Sequence, residues 1–312
     1  MDLAYNRTLV TEVILLGFSN NSKINLALFF FFLAIYLVTI FGNGFMMCVI
    51  IVSAHLHIPM YFFLCNLAFI DFFYSSSTVP KLLVDLLFPV EEHKLVCGIQ
   101  VFVGLFLGNT ESLLLVVMAY DRYVAICRPL YYPVLMRWSV CYRLIAIVWV
   151  CSFMTTVVPS LLMPMRACNP NRINHIACEV LAVIKLSCDS THQNEVVILS
   201  LSFFSLLVPF VFIILSYIFI ISSVLKIRSA GRSKAFSTCS SHLTVVILFY
   251  GTAMIMYFGP GSHYASNEAK YISVFYGIMI PMLNPLIYSL KNKEVTKILL
   301  VKKTITDSRA GL

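Results

Sequence analysis

Seven stretches of mostly apolar residues, each at or near the roughly 20 residues a helix needs to cross the hydrocarbon of a bilayer, leave this chain few folds to choose from. They cover residues 24–52, 59–80, 98–119, 144–164, 196–225, 243–259 and 271–290. The first, fourth and fifth carry no charge, the second carries only Asp71 and the third only Glu111. A single acid does not prevent insertion of so apolar a segment. Runs such as LALFFFFLAIYLV, residues 26–38, lack the alternation of a lipid-facing barrel strand, so a β-barrel is excluded. With 60% apolar residues, 12% charged residues and a mean hydropathy of +0.90, a water-soluble domain is excluded too. The fold class is an all-α membrane protein, a bundle of seven transmembrane helices.

The formal charge of +8 says less than its placement. Seven spans put the two termini on opposite sides, and one side collects 14 of the 22 Lys and Arg residues, among them Arg122, Arg128, Arg137, Arg143, Lys226, Arg228, Arg232 and Lys234. Lys and Arg in short loops stay cytoplasmic, so the N-terminus is expected outside and the C-terminus inside. The charge is an orientation signal and implies no nucleic-acid partner. Two acceptor sequons, Asn6-Arg7-Thr8 and Asn20-Asn21-Ser22, fall in the external N-terminus, where Asn6 and Asn20 are candidate glycosylation sites. Residues 1–23 lack the apolar core of a cleavable signal peptide, so the first span is expected to serve as its own anchor. The expected division is an extracellular N-terminus at 1–23, a seven-helix domain at 24–290 and a short cytoplasmic tail at 291–312.

About 30 residues between the fourth and fifth spans form a long connection with no span of its own, and such a loop needs a tether. Of the ten cysteines, Cys97, Cys168, Cys178 and Cys188 lie at or beyond the outer ends of helices, in the oxidising compartment. They allow two disulfides in three pairings, and the spacing does not choose among them.

Six motifs occur in order along the chain: GNG at 42–44, HIPMYFFLCNLAFID ending at Asp71, MAYDRYVAICRPLYYPVLM at 118–136, SY at 216–217, KAFSTCSSHLTVVILFYG at 234–251 and PMLNPLIYSLKNKEV at 281–295. With them the chain resembles the rhodopsin-type G-protein-coupled receptors, and within these the olfactory (odorant) receptors, over almost its whole length. It departs from the family's usual Thr at Ile58 and from its usual His at Arg128 and Tyr131. These positions lie in cytoplasmic loops, so they bear on coupling more than on identity.

The resemblance implies roles for residues that the spacing alone leaves bland. An arginine facing a bundle interior is costly unless paired, and Asp121 stands beside Arg122, followed by Tyr123. The resemblance makes this trio a latch in which Arg122 is held at rest and swings toward Tyr217 and His242 on activation, opening a cytoplasmic groove for a G-protein helix. Without it, Arg122 reads as an interfacial anchor. Pro285 removes a backbone hydrogen bond from the seventh helix and should kink it, so that Asn284 and Tyr288 can exchange partners as the bundle shifts. Asp71 and Glu111 have no base at similar depth. They could share a proton, or hold a cation with Asn43 and Asn284 as oxygen donors. The resemblance favours a bound sodium ion, and no other cofactor is expected. It also pairs Cys97 with Cys178, leaving Cys168 for Cys188. His175, Cys178 and Glu179 have spacing that suits a soft metal, but a disulfide sulfur is not a thiolate ligand.

Helical bundles hold small molecules in concave, mostly apolar sites between helices. Counting turns outward from Arg122 puts Gly104, Leu105, Gly108 and Asn109 on the inner face of the third helix. The same counting selects Ser202 and Ser205 on the fifth, Tyr250, Ala253, Met254 and Tyr257 on the sixth, and Gly277 on the seventh. These are similar to the family's odorant-contact positions. No buried acid is expected near that pocket, so the ligand is expected to be a small, hydrophobic, neutral molecule. By resemblance the output is activation of a stimulatory olfactory-type G protein and a rise in cyclic AMP from a multi-pass protein of the plasma membrane. The alternative is a transporter or channel, but no pair of broken helices in corresponding halves suggests one. No nucleophile motif or HExxH spacing suggests an enzyme.

Overall fold

Hydropathy marks only the part of a helix that lies in hydrocarbon, whereas backbone hydrogen bonding is local and carries the helix on into water. In the computed structural model, which describes residues 12–19, 21–88, 92–162, 172–184, 191–226, 229–258 and 267–291, the spanning helices mostly outrun their apolar windows. They are α1 (Ser22–Val52), α2 (Pro59–Leu87), α3 (Lys94–Cys127), α4 (Trp138–Leu162), α5 (191–225), α6 (Ser229–Phe258) and α7 (267–291). All seven contain a stretch long and apolar enough to cross a membrane. The Asn21 side chain accepts from the Lys23 amide at 3.0 Å and caps α1, and Pro59 opens α2. Large apolar side chains such as Phe30, Phe41 and Val52 on α1 and Phe212 and Phe219 on α5 point outward, as a surface solvated by lipid requires. Asn6, Asn20, Cys168, Cys188 and the chain from 292 onward lie outside the described residues.

Prolines set how the helices are joined. A proline at position i+4 has no N–H for the carbonyl at i, so a donor from a neighbouring helix can take it. Pro285 frees the Pro281 carbonyl, and Asn43 Nδ2 of α1 donates to it at 3.0 Å. Gly42, next to Asn43, lets the two helices come close there: a Cβ on it would lie 3.2 Å from Pro285 Cγ. Pro209 frees the Ser205 carbonyl, and Ser112 Oγ of α3 donates to it at 2.9 Å. Pro80 sits inside α2, which runs on to Leu87, and beside it Gln100 Nε2 of α3 donates to the Ser77 carbonyl at 3.4 Å. Two spans also carry a π-helical turn, Phe203–Leu207 in α5 and Phe275–Met279 in α7. Such turns insert an extra residue and frequently mark functional sites.

The disulfide-bearing end is closed by chain from three places. Strand β1 (Glu12–Leu15) pairs antiparallel with β2 (Glu92–His93) and parallel with β3 (Arg172–Ile173), in the order β2-β1-β3. The ladder continues past β1, with Leu16 N donating to Ile173 O at 2.9 Å and Gly17 N to His175 O at 3.2 Å. Gly17 adopts φ +62, which a glycine takes without strain. From α7, Lys270 Nζ donates to the Gly17 carbonyl at 2.6 Å. A disulfide joins Cys97 of α3 to Cys178, and Gln100 Oε1 accepts from the Cys178 amide at 2.9 Å. The segment 12–17 is therefore part of a cap that holds the long loop down.

Candidate functional site

Beneath this cap lies a cavity of about 430 Å³. From α3 it is lined by Gly104, Leu105, Gly108 and Asn109, from α5 by Ser202 and Ser205, from α6 by Ala253 and Tyr257, and from α7 by Gly277. Gly108 is a close approach: a Cβ there would stand 2.9 Å from the Tyr276 hydroxyl. Asn109 also donates to Thr156 Oγ1 of α4 at 3.3 Å, so it joins the wall to a fourth helix.

Two residues that turn-counting assigned to the pocket stand elsewhere. Tyr250 is fully buried below the floor, where its hydroxyl meets the Ser112 carbonyl and hydroxyl at 2.9 Å each. The Ser112 proton already serves the Ser205 carbonyl, so Tyr250 is the donor toward Ser112 and has no proton left for a ligand. This knot ties α3, α5 and α6 together. Met254, one residue past Ala253, turns about 100° away and packs on the main apolar core.

The expectation that no acid lies near the pocket is corrected by the loop. Glu179, next to the disulfide, lines the cavity, and Ser273 of α7 donates to its Oε1. Helical counting could not find it, because the loop has no period and only the disulfide and the strand ladder fix where it folds. Tyr74 was missed because the second helix was not among those counted, and Tyr276 because it lies in the π-helical turn of α7, which shifts the count. His175 is buried, with Nδ1 against Ala177 and Nε2 3.7 Å from Glu179 Oε2. No cluster of three His, Cys, Asp or Glu able to hold a metal occurs among the described residues. With Cys178 in a disulfide, the loop's metal reading has no support.

Midway down the bundle, Asn284 Nδ2 donates to Asp71 Oδ1 at 3.2 Å and Oδ2 at 3.0 Å. Glu111 is the electrostatic neighbour of Asp71 and meets the same asparagine. Ser75 Oγ, Glu111 Oε1 and Asn284 Oδ1 are buried without a hydrogen-bond partner. Asn43, expected as an oxygen donor here, donates its Nδ2 to the Thr39 and Pro281 carbonyls, bonds that do not engage its oxygen.

At the far end from the cap, Tyr132, in the short helix after α3, donates to Asp121 Oδ1 at 2.8 Å. Burial and the neighbouring Asp121 carboxylate push the Tyr132 phenol up, so it remains a donor at physiological pH. Arg122 is buried beside Asp121 with its Nη2 lacking a hydrogen-bond partner, as does the Tyr288 hydroxyl. Tyr123 is half-buried, its ring edge-on to Phe219 of α5 at 6.1 Å. Tyr217 and His242 engage each other, rings parallel at 5.8 Å and the hydroxyl 2.8 Å from Nδ1. His242 Nε2 lies 3.2 Å from the Leu115 carbonyl, which can only accept. The proton of a neutral imidazole is therefore on Nε2, and Tyr217 donates to Nδ1. This second knot again joins α3, α5 and α6.

The comparisons agree with this architecture. The crystal structure of squid rhodopsin superposes with a TM-score of 0.70 over 90% of this chain and 85% of that one, at 20% identity, which shows the fold. The human protein olfactory receptor 2A12 is 46% identical over 297 residues, 93% of this chain and 94% of its own length. Mouse olfactory receptor 2A7 is 45% identical over 308 residues, 98% of this chain and 99% of its own. The family model described as olfactory receptor matches residues 32–307, and the chain belongs to that family.

Proposed function

We propose that this protein binds a small, mostly apolar odorant in the capped cavity and, in response, drives nucleotide exchange on a stimulatory olfactory-type G protein, raising cyclic AMP. The observation that carries this reading is the position of the cavity floor. Ser205 and Ala253 line it, and the knot of Ser112, the Ser205 carbonyl and Tyr250 lies immediately below. A ligand pressing on these walls bears on the bonds that hold α6 against α3 and α5. An agonist activates only so far as it binds the opened bundle better than the closed one. At the other end, release of Tyr217 from His242 would give Arg122 a partner and open a groove for a helix of the G protein.

The capped end faces the outside in this reading, and the N-terminus with it. A disulfide belongs to an oxidising compartment, and the basic loops at the opposite end suit the cytoplasm. The oxygens of Asp71, Ser75, Glu111 and Asn284, three of them without a partner, form a hard donor set that suits an alkali cation. Sodium bound there would hold α2, α3 and α7 in the resting arrangement. Its test is the thermal midpoint of the purified receptor, expected higher in sodium than in N-methylglucamine at equal ionic strength.

The decisive experiment for the function is a broad odorant panel applied to cells that carry the receptor at their surface, read as cyclic AMP. A response that vanishes when the stimulatory α-subunit is deleted is expected. Silence across the panel from well-delivered receptor, or a response that survives the deletion, overturns the proposal.

A further inference from the structure

The cavity wall is uneven in a way that bears on ligand chemistry. Among the described residues that line it, Glu179 is the only acid, and no Lys, Arg or His joins it. A quarter of its side chain is accessible, so the carboxylate is not sealed off. One oxygen accepts from Ser273, and the other, Oε2, has as its neighbour only the buried His175 Nε2 at 3.7 Å, an ion pair when that imidazole is protonated and too long for a hydrogen bond. Lys270, one turn outward on α7, spends its ammonium on the Gly17 carbonyl. Three phenols, Tyr74, Tyr257 and Tyr276, line the same cavity. Glu179 is an electrostatic neighbour of Tyr74 and of Tyr276, and Tyr257 neighbours both. The Tyr74 and Tyr276 rings meet at 90° with centroids 6.1 Å apart, forming a corner. Away from it the wall is apolar, with Val101, Leu105, Leu201, Phe204 and Met256.

From this arrangement we infer that the corner between the loop and α7 is a subsite for an ammonium group, and that the cavity takes small amines with an apolar skeleton. The inference deepens the function proposed above and rests on it. A carboxylate inside a cavity loses its water when a ligand enters, which disfavours the complex unless the ligand brings compensating charge. An alkylammonium supplies three donors and a positive charge. One donor can meet Glu179 Oε2 as a charge-assisted bond, the tyrosine rings favour the cation, and the hydrocarbon part fills the apolar side. A neutral hydrocarbon or ketone strands the carboxylate instead, so the corner selects against the ligand class that the sequence suggests.

The test uses the full receptor in lipid nanodiscs and pairs of ligands with one skeleton: cyclohexylamine against cyclohexanol, and 2-phenylethylamine against 2-phenylethanol. Half-saturation, read from the rise in thermal midpoint, is expected at about tenfold lower concentration or less for each amine, as befits a desolvated charge pair. Glu179→Gln is expected to erase the amine advantage, weakening the amines and, because no charge is left for a neutral ligand to strand, strengthening the alcohols. Alcohols that bind as well as amines overturn the inference, as does an amine preference that survives Glu179→Gln. If that variant fails to fold, the wild-type amine and alcohol comparison decides alone. The two proposals fail separately. Amines that bind without nucleotide exchange on the G protein support the subsite and refute the receptor reading. Alcohols or ketones that raise cyclic AMP while the amines stay inert do the reverse.

Discussion

The two ends of the bundle are held together in different ways. At the capped end the chain is strapped by a disulfide, a strand ladder and a lysine on a carbonyl, bonds whose partners are fixed by the backbone. The cap leaves Asn25 Oδ1 and His175 Nε2 without a hydrogen-bond partner, but the unpartnered groups further down belong to residues that face one another across helices: Arg122 Nη2 and the Tyr288 hydroxyl at the other end, and Glu111 Oε1 and Asn284 Oδ1 midway. A buried orphan costs about 1–3 kcal/mol, so each marks a place where a second arrangement could be better satisfied. The difference separates a container from a switch, since a bistable element needs two arrangements of similar energy.

If that contrast is right, cutting the strap should cost most. Cys97→Ser is expected to destabilise the receptor by about 2–4 kcal/mol and to remove both surface delivery and response, measured by surface labelling and cyclic AMP. Arg122→Ala strikes the opposite end. It should leave delivery near wild type and abolish agonist-driven nucleotide exchange, because the arginine's unmet donor is what the active arrangement satisfies. If Arg122→Ala loses delivery as completely as Cys97→Ser does, the inner end is as structural as the outer one and the contrast breaks.

The same contrast explains what could be read from residues alone. The seven spans were legible because hydrocarbon demands apolar length, whereas the roles given to Arg122 and to the stretch around Pro285 came from the family resemblance. Cys97 with Cys178 needed the family resemblance, since spacing allowed three pairings. The helix ends at Cys127 and Leu87 were not legible, because helical bonding continues where hydropathy stops. Glu179 escaped because a loop has no period. Tyr250 was on the correct face of α6, but nothing in the sequence reveals that Ser112 has claimed its hydroxyl.

Between the two ends, Asn43 measures how much the proline-freed carbonyls matter. Asn43→Ala leaves the Pro281 carbonyl buried with no donor, and a loss of about 1–3 kcal/mol is expected. It should appear as a lower thermal midpoint in detergent, with the ranking of ligands unchanged because Asn43 is not part of the cavity wall. A changed ranking would mean that the α1–α7 junction is coupled to the pocket, and would blur the division drawn here.

Tyr132→Phe sharpens the switch itself and should have the smallest effect. Asp121 is 1% exposed and is served by two groups, the Tyr132 hydroxyl and the charge of Arg122. When Arg122 leaves, the hydroxyl is what keeps the carboxylate from being stranded, and it can do so because its phenol is pushed up and stays protonated. Without it, the strength that this hydrogen bond gains once Arg122 has gone and Asp121 has no other partner is lost, about 1 kcal/mol or roughly a fivefold shift toward the resting state. Maximal agonist-driven nucleotide exchange on purified G protein should fall by about that factor, with surface delivery and ligand affinity for the resting receptor unchanged. A rise in basal exchange would mean that Tyr132 holds Asp121 in the resting pair rather than supporting it after Arg122 has gone, and the order of events at the latch would have to be reversed.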